Sequence, residues 1–183
     1  MKLNKKIRWI TRTGVLLALL IVLQAVTKPF GQLVTGTCVN AVLAISALFG
    51  GIGSGITVAL LSPVCAWLFG IAPQIVTVPA IMVGNSVYVL LLWLITDGEG
   101  FWLLRAAAAW AIASVAKFVT LYVLVVWGIC GLLAEHLMTQ GVLKQPMLAV
   151  LSANFSWPQL ATAAMGGIVA LGITPVLKKA LKR

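Results

Sequence analysis

The sequence predicts an all-α integral membrane protein, a single six-transmembrane-helix bundle with both termini cytoplasmic. Three observations predict it. Of the 183 residues, 62% are hydrophobic and only 9% charged, more apolar surface than a soluble domain of this size can bury. The apolar residues fall in long runs with short breaks, unlike the strictly alternating segments of about ten residues that build an outer-membrane barrel. The formal net charge of +10 is concentrated at the chain ends, in Lys2, Lys5, Lys6, Arg8 and Arg12 and in Lys178, Lys179, Lys182 and Arg183. Basic ends flanking apolar spans are a topology signal facing an anionic inner leaflet, so this charge does not point to nucleic acid.

The predicted spans, all within one domain covering residues 1–183, are 8–27, 37–49, 55–69, 75–95, 106–129 and 147–177. The first ends before Lys28-Pro29, as helices tend to do ahead of proline. It lacks a small-x-small cleavage site and reads as a retained helix rather than a signal peptide. Gly14, Ala18 and Ala25 lie on one side of it, where small residues let another helix approach closely. Residues 29–36 read as a connecting loop with two glycines, a proline and Gln32. The short second span has Asn40 near its start. Gly50-Gly51-Ile52-Gly53-Ser54-Gly55 reads as a tight turn, and no phosphate-loop lysine follows it.

Ser62-Pro63 predicts a kink or a free carbonyl in the third span. Pro79 interrupts the fourth span early, and Asn85 and Tyr88, three apart, share one of its faces. Thr96-Asp97-Gly98-Glu99-Gly100 holds two of the three acidic residues; two carboxylates do not make a calcium loop, so it reads as a solvated turn. Residues 132–146, with Glu135, His136 and Lys144, read as a loop with a short interfacial helix. The sixth span is long, tilted or bent at Pro158, with Asn154 and Trp157 sharing its early face. Cys38, Cys65 and Cys130 have neither paired nor metal-like spacing and read as small buried hydrophobes.

Six spans place both termini on one side. With the termini inside, the inner side also takes Arg105, and the outer loops keep only Lys28 and Lys144. Trp9, Trp93 and Trp102 then fall at the inner interface, and Trp67 and Trp127 at the outer.

The fifth span organises the functional reading because Lys117 sits near its centre. A lysine at that depth costs about 2.5 to 3.5 kcal/mol even on insertion scales, so it faces protein or a watery cavity rather than lipid. Trp110, Ser114 and Lys117 share a face, with Thr120 a turn beyond. One reading is a ligand or ion site inside the bundle; the other is a lysine that snorkels or holds the bundle together through free carbonyls. Gln32, Thr35, Asn40, Asn154 and Trp157 approach from the outer side, and Asn85, with Tyr88 on its face, and Lys117 complete the set, Asn85 and Lys117 near mid-depth. Together they outline a cavity for a polar or anionic small molecule. Asparagine also serves as plain interhelical glue, worth about 0.6 kcal/mol on average.

Catalysis finds little support: there is no histidine-rich metal set, no intramembrane protease motif, and no carboxylate inside a span. No nucleotide-binding sequence is present, so the chain alone is not an ATP-driven pump. A solute-binding membrane protein without its own energy source suggests a subunit.

The whole chain resembles the substrate-binding S component of energy-coupling factor (ECF) vitamin transporters. The resemblance rests on the Gly14-Val-Leu-Leu-Ala18 step, on VNAVLAISALFGGIGSGITVALLSPVCAWLFGI from Val39 to Ile71, and on the stretch from Val78-Pro79 to Asn85. It implies a multi-pass subunit of a prokaryotic plasma membrane that needs no cofactor. It also implies a transmembrane coupling subunit, contacted through the first helix at Gly14, Ala18 and Ala25, and two ATPase subunits. That family motif is typically Ala-xxx-Ala, so Gly14 departs from it while keeping the small side chain. The resemblance further implies capture of a vitamin from outside, a lid after the first helix that includes Gln32, Thr35 and Gly36, and toppling in the membrane to release substrate inward. A cobalamin-type substrate leads, with pantothenate, folate and queuosine precursors open. The rival classes are a stand-alone small-solute carrier or channel and a membrane assembly factor.

Overall fold

The computed structural model describes residues 4–71, 74–97 and 102–180, and these are helical with no strand among them. Lys2, Lys182, Arg183 and the Gly98-Glu99-Gly100 part of the acidic turn lie outside the described residues.

Helix α1 (Lys5–Thr27) is capped by Asn4, whose side chain accepts from the Lys6 N–H. It is bound to the rest by a narrow seam, with only Thr13, Leu16 and Leu20 buried. A 3₁₀ turn (Lys28–Phe30) leads to Gly31, whose φ of 87° lies in the left-handed region that favours glycine. Helix α2 (Gln32–Gly50) then starts at once. The connecting loop predicted over residues 29–36 is therefore one short turn, and Gln32, Thr35 and Gly36 belong to helix α2. The reason is local: one glycine reverses the chain, after which Gln-Leu-Val-Thr has nothing to stop a helix.

Residues 40–47 of α2 are all buried, as expected for a helix apolar on every side. Gly51 (φ 81°) alone separates α2 from α3 (Ile52–Leu68), so Gly53, Ser54 and Gly55 are helical and not part of a turn. Gly55 is needed as a helical small residue: a Cβ there would lie 3.2 Å from the Ala47 Cα and 2.5 Å from Val89 Cγ1. Pro63 sits inside α3, which closes with Ile71 N–H donating to the Ala66 carbonyl and Gly70 at φ 66°. A second 3₁₀ turn (Ile75–Thr77) enters α4 (Val78–Thr96). Pro79 occupies the first turn of α4, where its missing N–H costs nothing, so it starts the helix rather than interrupting it.

Helix α5 (Trp102–Leu121) runs directly into a π-helical stretch (Tyr122–Leu132), and Lys117 lies at the middle of the 31-residue whole. The short helix predicted near Glu135 is α6 (Ala134–Thr139). The predicted sixth span is two helices, α7 (Gln145–Asn154) and α8 (Trp157–Ala180), interrupted at Phe155-Ser156. Pro158 begins α8 instead of bending a continuous helix.

Five helical stretches are long and apolar enough to cross a membrane: Lys5–Phe30, Gln32–Gly50, Ile75–Thr96, Trp102–Leu132 and Gln145–Ala180. The remaining apolar helix, α3, is shorter at 17 residues. The surface matches a lipid environment. Val15, Leu19, Val22 and Val26 of α1, and Leu94, Ile112, Val115, Val119 and Ile168 elsewhere, point outward, while Asn40, Asn85, Ser114, Lys117, Gln159 and Thr162 are buried. An exterior this apolar around a polar interior requires lipid rather than water.

Helices α2 and α8 approach most closely, through glycine. A Cβ on Gly166 would stand 2.7 Å from both the Ala41 nitrogen and the Thr37 carbonyl oxygen. Backbone cannot give way as a side chain can, so Gly166→Ala should destabilise by about 1–3 kcal/mol. The melting temperature in detergent should fall for this variant but hold or rise for Gly172→Ala, whose added Cβ meets nothing within 4 Å in a helix interior that favours alanine over glycine.

Candidate functional site

Four helices converge on Lys117. Its Nζ donates to Asn40 Oδ1 of α2 at 2.6 Å and to Asn85 Oδ1 of α4 at 2.7 Å. It stands 5.4 Å from the ring centroid of Tyr88, within cation–π range. Asn40, Asn85 and Lys117 are at most 2% exposed and Tyr88 is fully buried. The network continues into α8: Asn40 Nδ2 donates to Thr162 Oγ1 at 3.2 Å, and the Tyr88 hydroxyl donates to the Ala163 carbonyl at 3.2 Å. Gly36 lets the start of α2 pack on α8, since a Cβ there would meet Thr162 Cγ2 at 2.8 Å.

No carboxylate answers this ammonium group among the described residues. Asp97 is exposed beyond the end of α4 and lies twelve residues from Asn85, about 18 Å along the helix. Glu135 is exposed on α6. The lysine is held by neutral oxygens alone.

Over Lys117 lies a cavity of about 150 Å³, with a polar wall of Gln24, Gln32, Thr35, Asn40, Asn85, Lys117, Asn154 and Gln159 and an apolar wall including Val39, Ala66, Ile71, Ile81, Leu121 and Phe155. Three polar atoms of its lining residues are buried without a hydrogen-bond partner: Gln24 Oε1, Thr35 Oγ1 and Asn85 Nδ2. Four further hydroxyls outside this lining, those of Ser62, Ser86, Ser114 and Thr174, are likewise buried without a partner among the described residues. The breaks in the helices gather at this end: the turn after α1, the end of α3, and the α7–α8 interruption. Lys28 Nζ donates to the Gly70 carbonyl at 2.7 Å, and Gln74 Nε2 donates to Met147 Sδ at 3.1 Å, tying these connections to one another.

Of the residues predicted from the sequence, Gln32, Thr35, Asn40, Asn85, Lys117 and Asn154 line this cavity. Tyr88 lies against Lys117 but is not part of the lining. Trp157 does not belong to it: the side chain is 65% exposed. Its pairing with Asn154 presumed a continuous helix, and the break at Phe155-Ser156 changes the register between them. Trp110 and Thr120, assigned to the Lys117 face, are occupied structurally, with Trp110 Nε1 donating to the Ala164 carbonyl and Thr120 Oγ1 to the Ala116 carbonyl, each at 2.8 Å. Gln24 and Gln159 were missed, although each is a glutamine inside an apolar run, the signal already used for Asn85. Gly14, Ala18 and Ala25 are exposed, and a Cβ on Gly14 would meet nothing within 4 Å. Cys38, Cys65 and Cys130 are free and half-buried.

No protein-family model, curated protein or solved structure matches this chain.

Asn40 holds the cluster together because it bonds Lys117 and Thr162 at once. Asn40→Ala should destabilise by about 1.5–3 kcal/mol, the range for a hydrogen bond to a charged group. Unfolding titrations in detergent should detect that loss, and Trp157→Ala should unfold as the wild type does.

Proposed function

We propose that this chain is a six-span solute-capture subunit of an ATP-driven uptake system, an S component of the ECF type, that takes a small vitamin-like molecule from the outer face of a prokaryotic plasma membrane. The observation that carries the reading is the cavity over Lys117 and its three buried, unpartnered polar atoms.

Orientation follows from charge. Lys5, Arg8, Trp9 and Arg12 share a groove with Gly50, and Gly50 shares another with Trp93, Trp102 and Lys178. The start of α1, the α2–α3 turn and the end of α8 therefore stand at one end, with most of the basic residues. Counting α3 as a crossing gives six spans, and the positive-inside bias makes that end cytoplasmic. The cavity then opens outward, since Gln24 near the end of α1 and Gln32 at the start of α2 line it. The exposed Gly14, Ala18 and Ala25 stripe is the face offered to a coupling subunit, whose ATPases would supply the energy this sequence has no motif to provide.

The volume bears on the substrate. About 150 Å³ is comparable to a cavity that accepts a benzene ring. A corrin with its nucleotide tail is many times larger, so the reading takes a small solute in place of a cobalamin.

Mass spectrometry of the protein purified after growth in rich medium should find one stoichiometric small molecule. In proteoliposomes, uptake of that molecule should require the ATP-hydrolysing partners. Uptake by the chain alone would make it a carrier, and an empty protein that no vitamin stabilises would favour an assembly factor.

A further inference from the structure

The charge balance of the cavity goes one step beyond capture of an unspecified solute. An ammonium group offers three N–H donors, and Lys117 uses two of them on the neutral oxygens of Asn40 and Asn85. A protonated Lys117 in the middle of a span thus lacks a counter-charge among the described residues, which is costly unless something supplies it. Asn85, 1% exposed, turns its oxygen to Lys117 and keeps Nδ2 buried and without a partner. The Thr35 hydroxyl, on the same cavity, is also buried and unpartnered. Lys117, Asn85 and Thr35 therefore line one space, and no carboxylate among the described residues lines it with them.

We infer that the ligand is a small organic carboxylate. Its carboxylate accepts from Lys117 Nζ and Asn85 Nδ2, with the Thr35 hydroxyl as a further donor. Its body, about the size of one ring, lies against Val39, Ile81 and Phe155. One negative charge brings the site to neutrality. A dianionic phosphate would leave it net negative in a medium where uncompensated charge is expensive. Gln24 Oε1, buried and unpartnered, is the acceptor for a hydroxyl or N–H elsewhere on the ligand.

This inference rests on the capture reading, and the experiment separates the two. The full chain, stripped of bound molecules and reconstituted in nanodiscs, is titrated at constant ionic strength with acetate and with acetamide, its uncharged counterpart. In parallel, 4-hydroxybenzoate is compared with 4-hydroxybenzamide. The carboxylates should raise the melting temperature and the amides should not. Lys117→Met should weaken carboxylate binding by on the order of 30-fold or more, the loss expected when one partner of a buried charge pair is removed. Thr35→Val removes a hydroxyl with no partner in the free protein, so it should fold normally and bind about 5-fold more weakly, the worth of one ordinary hydrogen bond. It keeps the inference testable if Lys117→Met fails to fold. Equal stabilisation by acid and amide, or carboxylate binding unchanged in Thr35→Val, would overturn the carboxylate assignment. A stoichiometric neutral or cationic molecule in the purified wild type would also overturn it while leaving capture intact. A protein that carries no molecule and responds to none would remove both.

Discussion

The structure depends on one ammonium group held in the middle of a membrane-sized bundle by neutral oxygens. Burying Lys117 is costly, and two amide oxygens and an aromatic face return only part of that cost. The bonds must therefore be short, and the helices must be held where they can form. Asn40 reaches Lys117 because α2 lies against α8, and α2 lies there because Gly36 and Gly166 remove the Cβ atoms that would push them apart. Tyr88 and Thr162 then fix the orientation of the cluster from α4 and α8. Gly84 serves the same purpose on the α4–α5 side, where a Cβ would stand 2.7 Å from Leu121 Cγ. Small residues set the helix spacing, the spacing sets the asparagines, and the asparagines hold the lysine.

The two ends of the bundle are built differently. At the end with the termini, the α2–α3 connection is a single glycine, and the surroundings are basic and rich in tryptophan. At the other end the chain is broken repeatedly, at Gly31, at Gly70 and at Phe155-Ser156, and the breaks surround the mouth of the cavity. Broken helices at membrane depth are tolerated where they border protein or a watery space, because their freed backbone groups need partners. That end is also where the connections bond to one another, through Lys28 to Gly70 and Gln74 to Met147.

Much of this was legible in the sequence, and the failures share a cause. Polar residues within apolar runs carry a strong signal because the bilayer makes them expensive, so Lys117, Asn40 and Asn85 could be singled out together. Helix boundaries carry a weaker one. Glycine and proline mark where a chain can turn, not where it does. Gly53 and Gly55 read as turn residues but serve helix packing, and Pro79 and Pro158 read as interruptions but begin helices. The error at Trp157 follows directly, since a shared face requires a continuous helix. Gln24 and Gln159 were missed because they lie in spans judged chiefly by their small residues. Neither glutamine has a charge to draw attention; what makes them matter is the cavity, which depends on seven helices meeting and is not a property of any one of them.

The polar cluster can hold the bundle together or receive a ligand, and its bonded and unbonded groups bear on both roles. On its α8 side the cluster is bonded: Asn40 Nδ2 has Thr162, Tyr88 has the Ala163 carbonyl, and Trp110 has the Ala164 carbonyl. Three polar atoms of the cavity-lining residues are without a partner, as are the hydroxyls of Ser62, Ser86, Ser114 and Thr174 outside that lining. In the capture reading proposed above, the groups that position Lys117 are committed before a ligand arrives, so binding would leave those bonds in place and each new contact would add to them.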